Sequence, residues 1–513
     1  MYTKNEVLEL KNRIAHLEKE NKTLHETVEF LTRKLFGRSS EKTSVITGQI
    51  GIFNEAEIES KSSAPEPNLQ QVSDYRRKKF KGQRAELIKD IPHETVLCCL
   101  EEDERFCEKC GTPLKSIGKE FMRTEIEFIP AKVRVIDYYR ESYECRKCRR
   151  EGLPYIEKSP MPYPVVQHSM ASPSTVAHIM YEKYVNALPL YRQEREWESL
   201  GVKLSRATMG NWIMAASRNW LMPLTNLMHQ KLIEEKYLHV DETPIQVLME
   251  PGRKNTSESY MWVYSTYAGS KTPIRLFDYK PSRSGECAKE FLKGFKGYLH
   301  TDCYKGYNKV PEITRCFCWA HLRRYFVEAL PKDIKSPEAT LPAKGIDFCN
   351  QLFAEEKLIK KLTPDERKVK RLEKEKPILD VFWGWINFIK DSCLPKSKLG
   401  KAINYALNNK EGFMNYLLDG NCSISNNLSE NSIRPFTIGR KNWLFSGSPK
   451  GAKASAAVYS MIETAKANAL EPYSYLEFLF KNLPGVQFEA HPEFLEEYLP
   501  WDSWVQSSCK KNK

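Results

Sequence analysis

The chain has 513 residues, 41% hydrophobic and 28% charged, too many for a single core and apolar enough for several folded domains. Lys and Arg outnumber Asp and Glu by 79 to 66, a net charge of +13 that favours a polyanionic partner and says nothing about fold. The absence of a long apolar run or an N-terminal apolar signal argues against a membrane partner and for a cytoplasmic chain, in which 14 cysteines, several as Cys-x-x-Cys, point to metal sites more than disulfides.

Residues 1–36 carry a heptad pattern. Leu10, Leu17, Leu24 and Leu31 form one seam, and Val7, Ile14, Asn21, Val28 and Leu35 the other. Leucine at d with β-branched residues at a predicts a parallel two-stranded coil, with Asn21 setting register. Glu6 can face Lys11 of a partner, and Arg13 can face Glu18. The expectation is a homodimer through this leucine zipper; the alternative is an amphipathic helix packed on its own chain. Residues 37–88 read as a Ser- and Glu-rich linker containing Pro65, Pro67 and a basic run, Arg76–Lys81. That run either touches phosphates or is a solvated hinge.

Residues 89–155 hold two Cys-x-x-Cys turns, Cys107 with Cys110 and Cys145 with Cys148. Four thiolates on two tight turns are the ligands of a closed, structural Zn²⁺ site. The β-rich stretch 125–139 between them predicts the strands of a zinc ribbon. Residues 156–220 read as helical. Ser172-Pro173 opens one helix, 190–200 forms a second ending at Gly201, and Ser205 caps a third over 206–216. The last two resemble a helix-turn-helix with Arg206, Thr208 and Asn211 as candidate groove contacts, or else plain helical packing.

After a helix around 221–234, residues 221–331 show the order β-β-β-α-β. Tyr237–Thr243 delivers Asp241 to a strand end, 260–267 and 274–279 complete an antiparallel meander, 283–295 is helical, and 297–302 ends in Asp302. In a ribonuclease H-like arrangement the first and fourth strands are neighbours, which would bring the two aspartates to one metal ion. Glu430, near the start of a helix capped by Asn426 or Asn427, supplies a third carboxylate. Such a triad suits Mg²⁺ or Mn²⁺ and in-line displacement at phosphorus. Glu242 reads as a surface charge or a cap. His321, Arg323 and Arg324 contact phosphate or brace the site, or are a half-buried helix start with solvated arginines. Arg434, and Arg440 and Lys441 in an expected loop and strand, add positive charge nearby. Cys316 and Cys318 lack a second pair and suggest no metal. Residues 332–420 read as a helical insertion with an exposed helix pair over 355–376 and an aromatic face over 380–389, residues 421–467 as the last part of the core, and 468–513 as a helical tail.

The chain resembles the IS66-type transposases, a bacterial insertion-sequence family with DDE chemistry. The resemblance rests on Leu35-Phe-Gly-Arg-Ser-Ser-Glu-Lys42, Cys107-Glu-Lys-Cys-Gly111 and Lys183-Tyr-Val-Asn-Ala-Leu-Pro-Leu-Tyr-Arg-Gln193. It continues through His239-Val-Asp-Glu-Thr243, Cys318-Trp-Ala-His-Leu-Arg-Arg324, Asn426-Asn-Leu-Ser-Glu-Asn-Ser-Ile-Arg-Pro435, Gly439-Arg-Lys-Asn442 and Leu499-Pro-Trp501. It implies an α+β multidomain protein: coiled coil, zinc ribbon, helical DNA-binding region, and a ribonuclease H-like core with a helical insertion. It further implies that Asp241, Asp302 and Glu430 are the DDE triad, that the partners are element ends, target DNA and accessory transposition proteins, and that the chain is nucleoid-associated. The family's Glu-Arg-Ala is Glu430-Asn431-Ser432 here, and its Asp-Gly-Tyr is Asp302-Cys303-Tyr304. An inactive regulatory relative and a metal-dependent nuclease without strand transfer are the alternatives.

Overall fold

A computed structural model describes residues 132–145, 150, 156–331 and 340–510. The heptads, the linker and Cys107, Cys110 and Cys148 lie outside the described residues. Of the expected ribbon strands, 132–139 is not in a strand. The pairing falls later, where β1 (Ser142–Glu144) runs antiparallel to β2 (Ile156–Lys158). Val135 and Tyr139 are 85% and 92% exposed, and no strand among the described residues pairs with this stretch.

The helical region comprises α1 (Pro173–Tyr184), α2 (Leu190–Ser199), α3 (Arg206–Ala216) and α4 (Met222–Ile233). Ser172 and Ser205 cap α1 and α3 through their side chains, as their positions predict. The helices expected at 206–216 and 221–234 are one continuous helix. A π turn, Ser217–Leu221, joins them, with the Met222 N–H reaching back to the Ser217 carbonyl. Pro223 has no N–H to give to the turn before it, and the wider turn absorbs that loss.

The central mixed sheet has the order β5-β4-β3-β6-β7. Its strands are β3 (Tyr237–Val247), β4 (Glu258–Thr266), β5 (Arg275–Lys280), β6 (Gly297–Thr301) and β7 (Ile313–Phe317). β3, β4 and β5 form the expected antiparallel meander, while β6 and β7 lie parallel to β3. The crossover to β6 passes through α5 (Gly285–Phe291), shorter than the 283–295 expected. Gly285 packs so closely on the backbone of Gly306 that a side chain would collide with its carbonyl, which holds α5 against the turn after Asp302.

β3 is 11 residues long and runs past Asp241, so that residue sits mid-strand and not at a strand end. Only Tyr237–His239 pairs with β6, whereas the far end, Gln246–Val247, pairs with β8 (Phe445–Ser446). Between these pairings the β3 edge is open, and a helix of the last core segment covers it. That helix, α12 (Asn427–Trp443), carries Glu430; α13 (Pro449–Ala467) follows and packs on β5.

One apolar cluster joins the helical region, one side of the sheet, α13 and the C-terminal α14 (Pro472–Asn482) and α15 (Ser503–Cys509). The tail is thus built into the core: α14 packs along α1. A second cluster joins α6 (Trp319–Glu328) to the insertion helices α7 (Leu341–Ile359), α9 (Lys376–Ile389), α10 (Lys398–Asn408) and α11 (Lys410–Met414), while α8 (Pro364–Lys370) has no residue in it. Phe382, Trp383, Trp385 and Ile386 bury the aromatic face of α9, while Phe388 stays 83% exposed. The charged stretch 355–376 is not simply an exposed pair. Arg371 and Glu375 are 1% and 0% exposed in a π turn ahead of Pro377. No helix among the described residues is long and apolar enough to cross a membrane.

Candidate active site

β3 and β6 carry the same words, Tyr237-Leu-His-Val-Asp241 and Tyr298-Leu-His-Thr-Asp302. They pair in parallel, Tyr237 with Tyr298, Leu238 with Leu299 and His239 with His300. The tyrosine rings stack at 5.6 Å and the histidine rings at 4.3 Å. Continued two residues further, that register sets Asp241 alongside Asp302, just where the strands part. The repeat was a usable sequence clue to which residues face one another, beyond strand order alone.

Glu430 reaches the site from α12. It shares a cavity with Asp241, His321, Arg324, Ile433, Arg434 and Thr437. Asp241 accepts the Glu242 N–H at 2.9 Å, and Asp302 accepts the Tyr304 N–H at 2.9 Å. Burial, followed by the charges of Glu242, Asp302 and Glu430, pushes the Asp241 carboxyl up to about 8. Glu430 Oε1 is buried without a hydrogen-bond partner, with His321 Nδ1 at 3.5 Å and Arg324 at 3.8 Å from the carboxylate. Burial lowers the His321 pKa, so the ring is a poor source of positive charge for that carboxylate. Asp241 and Glu430 share this cavity with Arg324 and Arg434, Asp302 lies outside its lining but near enough to raise the Asp241 carboxyl, and hard oxygen donors of this kind suit a divalent cation.

Glu242 departs from the surface reading. Its side chain is 1% exposed and meets Arg283 at 2.5 Å and the Tyr307 hydroxyl. Strand alternation turns it to the face opposite Asp241. Arg283 also stands 3.7 Å from Asp302 and lies over the Tyr304 ring at 4.2 Å. Nothing in the local sequence around Arg283 marks this role, because its partners come from β3 and from the turn after β6.

Asn426 occupies the N-cap position of α12 without capping it. Its amide instead donates to the Val240 carbonyl at 2.8 Å, and its oxygen accepts from His239 Nδ1 at 2.9 Å. Arg440 does the same lower on the strand, bonding Thr243 Oγ1 at 3.1 Å and the Pro244 carbonyl. The open edge of β3 is therefore satisfied by side chains of the element that carries Glu430. Asn426→Ala is expected to cost about 1–3 kcal/mol, because it strands a buried carbonyl and an imidazole N–H. Urea denaturation checks this, and an unchanged midpoint would refute it.

Among the other candidate contacts, Arg324 and Arg434 are exposed and border the cavity. Arg440 and Lys441 lie in the last turn of α12, not in a loop and strand: the helix continues to Trp443 and ends at Leu444, φ 64°. Lys441 is exposed, whereas Arg440 is turned onto β3. Arg323 bonds Asn350 of α7 at 2.8 Å, facing the insertion. Arg206 and Asn211 are exposed on α3, after a turn at Gly201, φ 85°.

A family model described as transposase IS66 family matches residues 168–454, more than half of the chain and all of this site. The chain belongs to the IS66 transposase family. Further models match the family's zinc-finger binding domain at 104–149, its C-terminal element at 460–501, and a region described as transposase C of IS166 homeodomain at 23–96. The zinc-finger match spans all four paired cysteines and supports a structural zinc. Membership in this family makes the chain a DNA-acting transposase. Similar chains include two proteins of Sinorhizobium fredii described as uncharacterized. Protein y4hP is 28% identical, covering 94% of this chain and 88% of its own length. Protein y4jD is 27% identical, covering 93% and 94%.

Proposed function

We propose that this IS66 transposase works through a DDE triad, Asp241, Asp302 and Glu430, holding Mg²⁺ or Mn²⁺ on a ribonuclease H-like core. It cuts DNA at the ends of its element and joins the freed 3′-hydroxyls to target DNA. The observation that carries this reading is the pairing of the two Tyr-Leu-His-x-Asp strands with Glu430 delivered into the cavity that Asp241 lines. The strand order, with three antiparallel strands followed by two parallel ones beside the first, supports the ribonuclease H-like assignment. The buried, unpartnered Glu430 oxygen and the raised Asp241 carboxyl fit a divalent cation. Held by Asp241, Asp302 and Glu430, a divalent cation would supply activation of a water or 3′-hydroxyl and charge stabilisation of the leaving oxygen at phosphorus.

The chain's own residues orient this chemistry. The Tyr304 N–H fixes one Asp302 oxygen, and Asn426 anchors the start of α12 to β3. Arg324 and Arg434 on the cavity border are placed to meet phosphates, as are Lys441 on α12 and Arg206 and Asn211 on α3. Arg323, His321 and Arg440 act as braces for the site. The zipper would pair two chains for two DNA ends, with accessory proteins and a nucleoid location following from the same role. Joining of labelled end-sequence DNA to a target in Mn²⁺ or Mg²⁺ tests the whole reading.

Asp241 gives a pH prediction. Its folded pKa, about 8, stands above the ordinary value of 3.8, so the folded chain keeps a proton that the unfolded chain loses. Stability of the metal-free chain therefore falls as pH rises from the ordinary carboxylate range towards about 8. Asp241→Asn should flatten this slope and raise Tm at pH 8 by a few degrees, while Mn²⁺ no longer stabilises the chain. Scanning calorimetry across pH reads both effects, and a slope unchanged by the substitution would contradict the burial argument.

A further inference from the structure

We propose that His300, Cys316 and Cys422 form a second, buried site for a thiophilic d¹⁰ cation, zinc(II) or copper(I), outside both the paired-cysteine module and the carboxylate triad. One ligand atom from each lies within 4.8 Å of the other two. The residues are 2%, 1% and 1% exposed. They come from β6, from β7 and from the segment that leads into α12.

The imidazole is in the orientation that ligation uses. His300 Nδ1 faces the Leu238 carbonyl at 3.3 Å and so carries the proton, while Nε2 accepts the Ser423 N–H at 2.8 Å. A histidine that donates one ring N–H to a carbonyl presents its other nitrogen as a ligand. Binding exchanges the Ser423 bond for the bond to the ion. The two thiols face each other: the contact pulls the Cys422 thiol below its usual range, while the same contact and burial hold the Cys316 thiol well above its own, so the ion must displace the Cys316 proton on binding. Arg371, 1% exposed, donates to the Cys422 carbonyl at 2.8 Å and sets a fixed positive charge beside the pair, which favours thiolate.

One imidazole and two thiolates make a soft donor set. Three donors satisfy copper(I), while zinc(II) takes a fourth. His239 stacks nearly parallel on His300 at 4.3 Å, so its in-plane lone pair does not converge on the same ion, and a zinc(II) ion would take a water as its fourth ligand. A fully buried site of this kind is structural. Cys316 precedes the helical insertion and Cys422 follows it, so the ion would close that long excursion and fix the start of α12 against the sheet.

The test counts zinc and copper in the purified full chain and its variants. Removing the paired-cysteine site with Cys107→Ser/Cys110→Ser should leave about one equivalent of zinc or copper per chain, and adding Cys422→Ser or Cys316→Ser should remove it. The metal that disappears identifies the ion. A Cys107→Ser/Cys110→Ser chain that is folded by circular dichroism, yet retains neither metal after reconstitution with Zn²⁺ or Cu⁺, overturns the proposal. If the added serine unfolds the chain, Co²⁺ in the Cys107→Ser/Cys110→Ser chain decides. Thiolate-to-cobalt charge-transfer absorption is required there, and its absence is equally fatal.

Discussion

Asp302→Ala in the full chain is expected to reduce DNA strand transfer by roughly 10³-fold or more while binding of end DNA stays within about twofold. The separation is expected because Asp302 does little for folding. Its side chain makes few bonds: it accepts the Tyr304 N–H at 2.9 Å and stands 3.7 Å from Arg283, which keeps its closer partner Glu242 at 2.5 Å, while the backbone carbonyl that accepts from Arg315 is kept in alanine. Loss of the carboxylate removes one side of the proposed cation site and leaves the exposed basic residues in place. Gel-shift and joining assays on the same preparation read the two effects separately. Joining at the wild-type rate would remove Asp302 from the triad. Cutting without joining in the wild-type chain would make the protein a nuclease, and end binding with neither reaction would make it a regulatory relative.

Arg371→Ala should be among the most destabilising single changes outside the site, costing about 3–5 kcal/mol. Arg371 bonds Glu356 at 2.5 and 3.0 Å and donates to the carbonyls of Tyr416, Asp419 and Cys422. Removing it leaves Glu356 without its counter-ion, beside Glu375, whose carboxyl is already pushed up by burial and by Glu356. It also frees the 416–422 segment that leads to α12 and Glu430. Chemical denaturation of Arg371→Ala, Glu356→Gln and the double variant checks the coupling. The double variant should recover part of the loss, because the uncompensated, half-buried Glu356 charge is gone. Additive losses would show that Arg371 acts through the carbonyls alone.

What the sequence determined by itself is what depends on near neighbours along the chain. The Ser172 and Ser205 caps, the β3-β4-β5 meander, the strand carrying Asp302 and the aromatic face of α9 follow from spacing and capping chemistry, which act over a few residues. Of the candidate acids, Asp302 follows directly on a strand end and Glu430 sits in the first turn of a helix as their segments indicate, whereas Asp241 does not end its strand. What only the tertiary structure decided is who meets whom across long separations. β3 continues through Asp241 along its partner β4, and its far end also finds β8, some two hundred residues later. Asn426 abandons its cap to satisfy a carbonyl on β3, Glu242 is buried by Arg283 and Tyr307, and Arg371 is drawn inside a charged helix by three carbonyls of a distant segment. Local pattern cannot carry these outcomes, since each follows from a buried polar group that must find a partner wherever the fold supplies one.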